Sequence, residues 1–422
     1  MSPLGSPLRP MSRAESLLLT LLVVSIFINY VDRGNLSIAA PVIENELALS
    51  PVQVGFLLSA FFWTYSLLQI AGVSGWLVDL YPVGRVFALG FLIWSAATIA
   101  TGFLSGFAAL YAVRLLLGAG ESIAYPCYSR IFASDLQQHH RGRANAFIDA
   151  GSKLGPGLGN FLSGMLLVRF GWRWLFILLG VGGLLWLIPW LKWMPRSKAE
   201  KSNRTEELPR IGEMLRLRSA WGTFAGQFCS NYFWYFLLTW LPSYFVKERN
   251  FSIQRMAIIT SAAFFATAAT DVVAGWISDR YIARGASPTL VRKTFVVGGL
   301  IGSGVLLPVA FVSSENACIA LLVMACVAFG LYCSNLWAIT QTLAGPLMAG
   351  RWTSVQNGIA NLAGVAAPLV AGFAVRTSGS SKPAFVATGV IVMTGALAWG
   401  LMVGRVEQVR WSTVPSKAQL SL

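Results

Sequence analysis

Charge is what this sequence has least of: only 12% of its 422 residues are Asp, Glu, Lys or Arg, against 55% hydrophobic, and the mean hydropathy is +0.63. A soluble domain carries about twice that share of charge, so the composition is that of a polytopic membrane protein. Histidine is rarer still. The two present, His139 and His140, stand beside Arg141 and Arg143 in a polar loop, the setting of a solvated turn rather than a metal or proton site. The five cysteines (Cys127, Cys229, Cys318, Cys326 and Cys333) all lie in apolar runs. An odd number without metal-ligand spacing reads as small buried hydrophobes, and no metal or cofactor is expected. The sequence also lacks a phosphate loop, a Ser or Cys nucleophile with a His at membrane depth, and any polar interval long enough for a soluble domain, which argues against an enzyme or a membrane sensor.

What is present is a series of apolar runs, at about 16–40, 51–78, 84–105, 107–133, 144–168, 171–194, 219–246, 256–278, 291–312, 316–345, 353–375 and 383–404. They predict an all-α fold of twelve transmembrane helices. The N-terminal run has a basic start like a signal peptide, but it lacks a small-residue cleavage site and is expected to stay on the mature chain. Acids are the scarcer sign, 17 against 32 Lys and Arg, for a net charge of +15. With the N-terminus placed in the cytoplasm, most of the basic residues fall in inner loops, including Arg9, Arg13, Arg85 and the cluster between Lys192 and Arg218. The basicity is therefore topological. Its partner is the anionic inner leaflet, not nucleic acid, and both termini are expected to be cytoplasmic in a multi-pass protein of the inner or plasma membrane.

The chain repeats itself at long range. Ser50 and Pro51 open the second run as N-cap and first-turn proline, and the run ends in Gly75-Trp-Leu-Val-Asp79. Gly275-Trp-Ile-Ser-Asp279-Arg280 ends the eighth run, so the phrase recurs after 200 residues, about half the chain. Two homologous six-helix halves follow, at 16–194 and 219–404, with a cytoplasmic tail at 1–15, a linker at 195–218 and a second tail at 405–422. Residues 211–218 read either as a basic amphipathic surface helix or as solvated linker.

The scarce charges are also the informative ones. Asp32 and Arg33 sit side by side in residues 17–40, and the part before them, 17–31, is 15 residues, short of the roughly 17 needed to cross, so the span must run through both. A charge near the bilayer centre costs about 2.5–3.5 kcal/mol on insertion scales and normally faces a polar interior with a partner. In the fourth run, Arg114 and Glu121 are seven residues apart and share a helix face, with Arg114 at the depth of Asp32. Two acids and two bases in one cavity are neutral when all are ionised. Protonating an acid leaves excess positive charge for a carboxylate, which is a physical route to proton coupling; alternatively the charges are inert pairs that tie spans together. The fifth run adds Asp149 and Lys153, where Lys153 either binds an anion or is neutralised by Asp149 at i,i+4. The second half offers mostly neutral groups at depth, Asn231, Tyr232, Tyr235, Asn335, Gln341, Gln356, Asn357 and Asn361, with Asp271 its lone deep acid. Such a set suits substrate hydroxyls. Trp63, Tyr65, Tyr232, Trp234 and Trp337 could equally stack on an aromatic acid.

Two six-span halves with this loop phrase resemble the major facilitator superfamily over the whole chain. That resemblance implies that Asp79, Arg85, Asp279 and Arg280 act in gating on the cytoplasmic side, although Leu80 stands where the first copy should be basic and Gly84 is displaced by one position. Tyr30-x-Asp32-Arg33-x-Asn35, Arg114-x6-Glu121, the phrase at 236–245 and the phrase at 361–368 resemble the anion:cation symporters of that superfamily. The likeness implies that Arg33 holds a substrate carboxylate, that Asp32 and Glu121 carry protons, and that Tyr65 and Asn361 contact substrate, with Tyr30, Arg114, Lys153, Asn231 and Tyr235 as further binding candidates. Asp149, Asp271, Gln341 and Asn357 are secondary. The expected function is proton-coupled uptake of a small organic anion by a monomer, foremost a hexuronate, aldonate or aldarate. An aromatic or other carboxylate is the alternative, as is proton-driven export, because Gly151-x3-Gly155-Pro156-x2-Gly159 resembles the fifth-span motif of drug antiporters, departing from it at Asn160.

Overall fold

A backbone inside a bilayer must satisfy its own hydrogen bonds. The computed structural model describes residues 11–136, 138–194 and 211–411, and there the regular structure is helical throughout. The helices are α1 (Arg13–Glu46), α2 (Pro51–Ile70), α3 (Val73–Leu80), α4 (Val83–Thr101), α5 (Phe107–Glu121), α6 (Ala124–Asp135), α7 (Gln138–Trp193), α8 (Ile211–Leu215), α9 (Arg218–Thr239), α10 (Leu241–Lys247), α11 (Ile253–Ala283), α12 (Pro288–Ser303), α13 (Leu306–Val309), α14 (Glu315–Asn361), α15 (Ala363–Ser378) and α16 (Lys382–Leu397). Among the described residues ten helical stretches are long and apolar enough to cross a membrane. One of them, Ala150–Trp193, is 44 residues and carries two of the expected spans, while the expected seventh span coincides with α9, which is outside the ten.

Local chemistry explains the ends and joints. Ser12 caps α1 through a reciprocal pair with Glu15, and Ser50 and Gln53 form the same kind of box at the start of α2, so Ser50 and Pro51 act as the sequence predicts. Gly171 (φ 80°) breaks α7 and Gly345 (φ 63°) breaks α14, in a region of backbone space that side chains with a Cβ avoid. The five cysteines are buried and unpaired with one another. Of the linker, residues 195–210 lie outside the described residues, and α8 is only five residues before α9 begins.

The chain divides into two units, one of residues 1–49, 60–201 and 251–261, the other of 50–59, 202–250 and 262–422. The expected halves therefore exchange two short segments. In the first unit an aromatic core joins α4 to α7: Trp186 stacks on Phe91 at 4.2 Å and on Trp190 at 5.3 Å, and the Trp190 indole N–H donates to the Gly84 carbonyl at 3.0 Å. Beside it, α7 lies against α1 through Gly151, Gly155 and Gly159, whose missing side chains leave room for Ile26, Tyr30 and Val31. The glycines that resemble an antiporter motif thus have a packing role here. A Cβ at Gly155 would stand 2.6 Å from that of Tyr30, so Gly155→Val should cost about 1–3 kcal/mol, visible as a lower melting temperature of the purified protein.

The second unit ends in a strap. After α16 a π turn (Ala398–Met402) is capped by the Lys293 ammonium, which donates to the Gly400 and Val403 carbonyls at 2.7 and 2.6 Å. The chain then crosses the joint at Gly345. The Val409 amide donates to the Leu343 carbonyl at 2.9 Å, the Trp411 indole N–H to the Ala344 carbonyl at 3.0 Å, and Trp411 is buried. Of the expected tail, residues 405–411 are therefore held to the second unit through Val406, Val409 and Trp411, and 412–422 lie outside the described residues.

Candidate functional site

In the first unit the expected charges converge. α2 and α3 are separated at Ala71–Gly72 and α5 and α6 at Ser122–Ile123, and the two breaks are tied together: the Gln69 amide donates to the Ser122 carbonyl at 3.2 Å and the Ser74 and Ser122 hydroxyls lie 2.9 Å apart. This fixes Glu121 as the last residue of α5. Its carboxylate accepts from Arg33 Nε at 3.0 Å, an ion pair between α1 and α5 with both side chains buried. The Arg33 guanidinium also lies within 5.0 Å of three ring centres, Tyr30 at 4.8 Å, Phe61 at 5.0 Å and Tyr65 at 4.7 Å. Rings at that range attract a cation through their faces while contributing no competing anion.

Asp32 and Arg33 are neighbours in sequence but not partners. Adjacent helical residues point about 100° apart, so Asp32 turns elsewhere and accepts from Asn35 Nδ2 at 3.2 Å. Asp32 nonetheless remains in electrostatic reach of Glu121 and Arg114. Arg114, 3% exposed, has neither Nε nor Nη1 hydrogen-bonded among the described residues. The ion pair to Glu121 is made by Arg33, across from α1, while Arg114 acts on Asp32 and Glu121 only at longer range. The Tyr30 and Tyr125 hydroxyls meet at 3.2 Å, and those of Ser25 and Tyr128 at 2.9 Å. Phe61, Tyr125, Tyr128 and the buried Asn29 were not singled out from sequence. An Asn inside an apolar run was the available signal for the last, whereas ring residues in such a run carry none. The side chains of Asp149, Lys153 and Asp79 lie outside the described residues.

The second unit has its own polar set. The Tyr235 hydroxyl donates to Asn361 Oδ1 at 2.5 Å, and Asn361 Nδ2 to the Asn357 carbonyl at 2.8 Å, linking α9 to α14 with Tyr235 and Asn361 buried. Thr340 donates to Gln356 and Ser278 to Asn335, so those two amides are engaged as packing links. Tyr232 is buried with its hydroxyl unpaired among the described residues. Asn231 is half-buried, Gln341 exposed, and Asp271 lies half-buried on α11. Trp234 is packed against Phe329 and Phe264, which makes it wall rather than a free stacking surface. Arg85, Asp279 and Arg280 are exposed and form no ion pair among the described residues; Arg280 lies over the Trp276 ring at 5.2 Å.

Comparison with known proteins gives the same direction. The model of the Major Facilitator Superfamily matches residues 22–368. The chain is 28% identical to a protein of Bacillus subtilis named as a probable galactarate/D-glucarate transporter, covering 90% of each, and 30% identical to a hexuronate transporter of the same organism, covering 88% of this chain and 90% of that one. The crystal structure of a bacterial homologue of the human lysosomal transporter Spinster shares the fold, with a TM-score of 0.78 at 18% identity over 93% of this chain and 98% of that one.

Proposed function

Because the chain belongs to the major facilitator superfamily, a family of multi-pass membrane transporters, we propose that it takes up a small polyhydroxylated carboxylate, a hexuronate, aldonate or aldarate, together with protons. The observation that carries this reading is the buried Arg33–Glu121 pair inside three aromatic rings. A substrate carboxylate and the Glu121 carboxylate compete for one guanidinium. When Glu121 takes up a proton, Arg33 loses its counter-charge and the substrate anion replaces it; when the proton leaves, Glu121 reclaims Arg33 and the anion is released. Asp32, close to Arg114, serves as the second proton acceptor, and Arg114 and Lys153 add positive charge for an anion. Tyr30 and Tyr65 hold the guanidinium in place.

In the second unit Tyr235, Asn361 and Asn231 read substrate hydroxyls. A twelve-span monomer with both termini cytoplasmic, in which Asp79, Arg85, Asp279 and Arg280 pair only in one state of an alternating-access cycle, completes the proposal. Export of a cationic drug is disfavoured, because two arginines buried in the first unit repel such a substrate.

Uptake of radiolabelled glucarate, galacturonate and gluconate into proteoliposomes, acidic outside, tests the reading. Accumulation that collapses when the pH gradient is dissipated is the expected result, and accumulation indifferent to the gradient counts against proton coupling. In the same assay Asn361→Ala should weaken competition by the sugar acids by about 1–3 kcal/mol, roughly 5- to 150-fold, since it leaves Tyr235 and substrate hydroxyls unpaired. If benzoate competes better than the sugar acids and Asn361→Ala changes nothing, the substrate is an aromatic acid instead.

A further inference from the structure

Asn29 has no place in the scheme above, yet its position is hard to account for as packing. Ser25, Asn29 and Arg33 are spaced four residues apart and form one stripe along α1. The first member bonds to Tyr128 of α6 and the last to Glu121 of α5, so Asn29 faces the same partner one turn from each. It is fully buried; neither Oδ1 nor Nδ2 has a close hydrogen-bond partner among the described residues, and its amide already stands near enough to the Glu121 carboxylate to act on it as a donor. The Glu121 oxygen turned away from Arg33, Oε1, is likewise buried and makes no close hydrogen bond there, so Asn29 and Glu121 face each other at longer range. Leaving a buried amide unsatisfied costs about 1–3 kcal/mol, which a leucine in this span would avoid.

We propose that Asn29 is a positioning residue that receives the Glu121 carboxyl when Arg33 releases it to the substrate anion. The proposal rests on Glu121 carrying the transported proton. Glu121 is faced by Arg33 and Asp32 from α1, by Arg114 on its own helix and by the Tyr128 phenol from α6, with Asn29 as its neutral amide neighbour. Arg33 and Arg114 can only donate, so neither can accept the O–H of the protonated acid. The Tyr128 hydroxyl is already engaged by Ser25. An amide both donates and accepts: Nδ2 serves the carboxylate, and Oδ1 serves the hydroxyl of the protonated acid. A rotation of the Asn29 side chain therefore lets it hold Glu121 in either state, keeping the acid from swinging back onto Arg33 while the anion is bound.

The test measures the pH profile of glucarate or galacturonate binding and pH-driven accumulation in proteoliposomes, for Asn29→Leu, Asn29→Gln and Glu121→Gln, alone and combined. Asn29→Leu should lower accumulation by about tenfold, the worth of one hydrogen bond to a charged group, and displace the pH midpoint of binding. Asn29→Gln, which keeps both donor and acceptor, should restore part of each. In a Glu121→Gln background Asn29→Leu should add nothing to the pH dependence. A wild-type pH profile in Asn29→Leu overturns the proposal, even if its melting temperature falls, because packing alone then explains the residue. An additive effect in the double variant overturns it too. If instead Glu121→Gln still accumulates anion against a gradient, it is the proton assignment that fails. Should Asn29→Leu not fold, Asn29→Ala gives the same readings.

Discussion

Arg33→Gln is expected to weaken sugar-acid binding by about 100-fold or more in a calorimetric titration, and Arg33→Lys by an intermediate amount. The buried guanidinium is flanked by three rings and paired with Glu121, so its removal costs twice. The substrate loses a charge-assisted contact of about 1.5–3 kcal/mol, and Glu121 loses its hydrogen-bonded cation and keeps only the more distant Arg114. Each 1.4 kcal/mol is tenfold in affinity. Lysine preserves the charge but loses the planar fork and the fit against ring faces, so even this mild change should be felt. Unchanged affinity in both variants would remove Arg33 from the anion site.

Glu121→Gln and Asp32→Asn are expected to abolish accumulation driven by a pH gradient while sparing exchange of external for internal substrate. Exchange returns the carrier with an anion in both directions and needs no net proton movement; accumulation requires that a proton be lost on one side. Glutamine at 121 imitates the protonated acid permanently, leaving Arg33 available at every pH, so anion binding in Glu121→Gln should lose its pH dependence. Titrating affinity between pH 5 and 8 checks this directly. If both neutral variants still concentrate substrate, protons travel elsewhere, with Asp149 and Asp271 the next residues to replace.

The charges were legible because they interrupt apolar runs where any charge is costly; Asp32, Arg33, Arg114 and Glu121 stand out against their surroundings without any structure. Their pairing was not. Periodicity says that Arg114 and Glu121 share a face of one helix, but whether Glu121 turns toward Arg114 or across to Arg33 depends on the helix ending at Glu121, and that break falls at Ser122–Ile123, within an unbroken apolar run. The ring cage was visible only in part: Tyr30 and Tyr65 are binding candidates from the sequence, but Phe61 looks like any other packing residue of a span, and nothing in the sequence set the three rings around Arg33. Conversely, the glycines at 151, 155 and 159 were conspicuous in sequence and suggested a functional motif, yet what they meet is the backbone and side chains of α1. Neutral amides proved the least readable group: Asn361 joins Tyr235, Gln356 and Asn335 make internal links, and Gln341 is exposed, differences that only tertiary contacts decide.

The strap across Gly345 bears on how the protein is made. Trp411 covers a carbonyl 67 residues earlier in the chain, and a ribosome adding about 5–20 residues per second produces the joint some 3–13 s before the segment that closes it. During that interval the Leu343 and Ala344 carbonyls lack the donors that Val409 and Trp411 later supply. The joint is therefore sealed only once Val409 and Trp411 have been translated, and a nascent chain that stops at Gly404, with α16 complete, still presents it open to the insertion and degradation machinery.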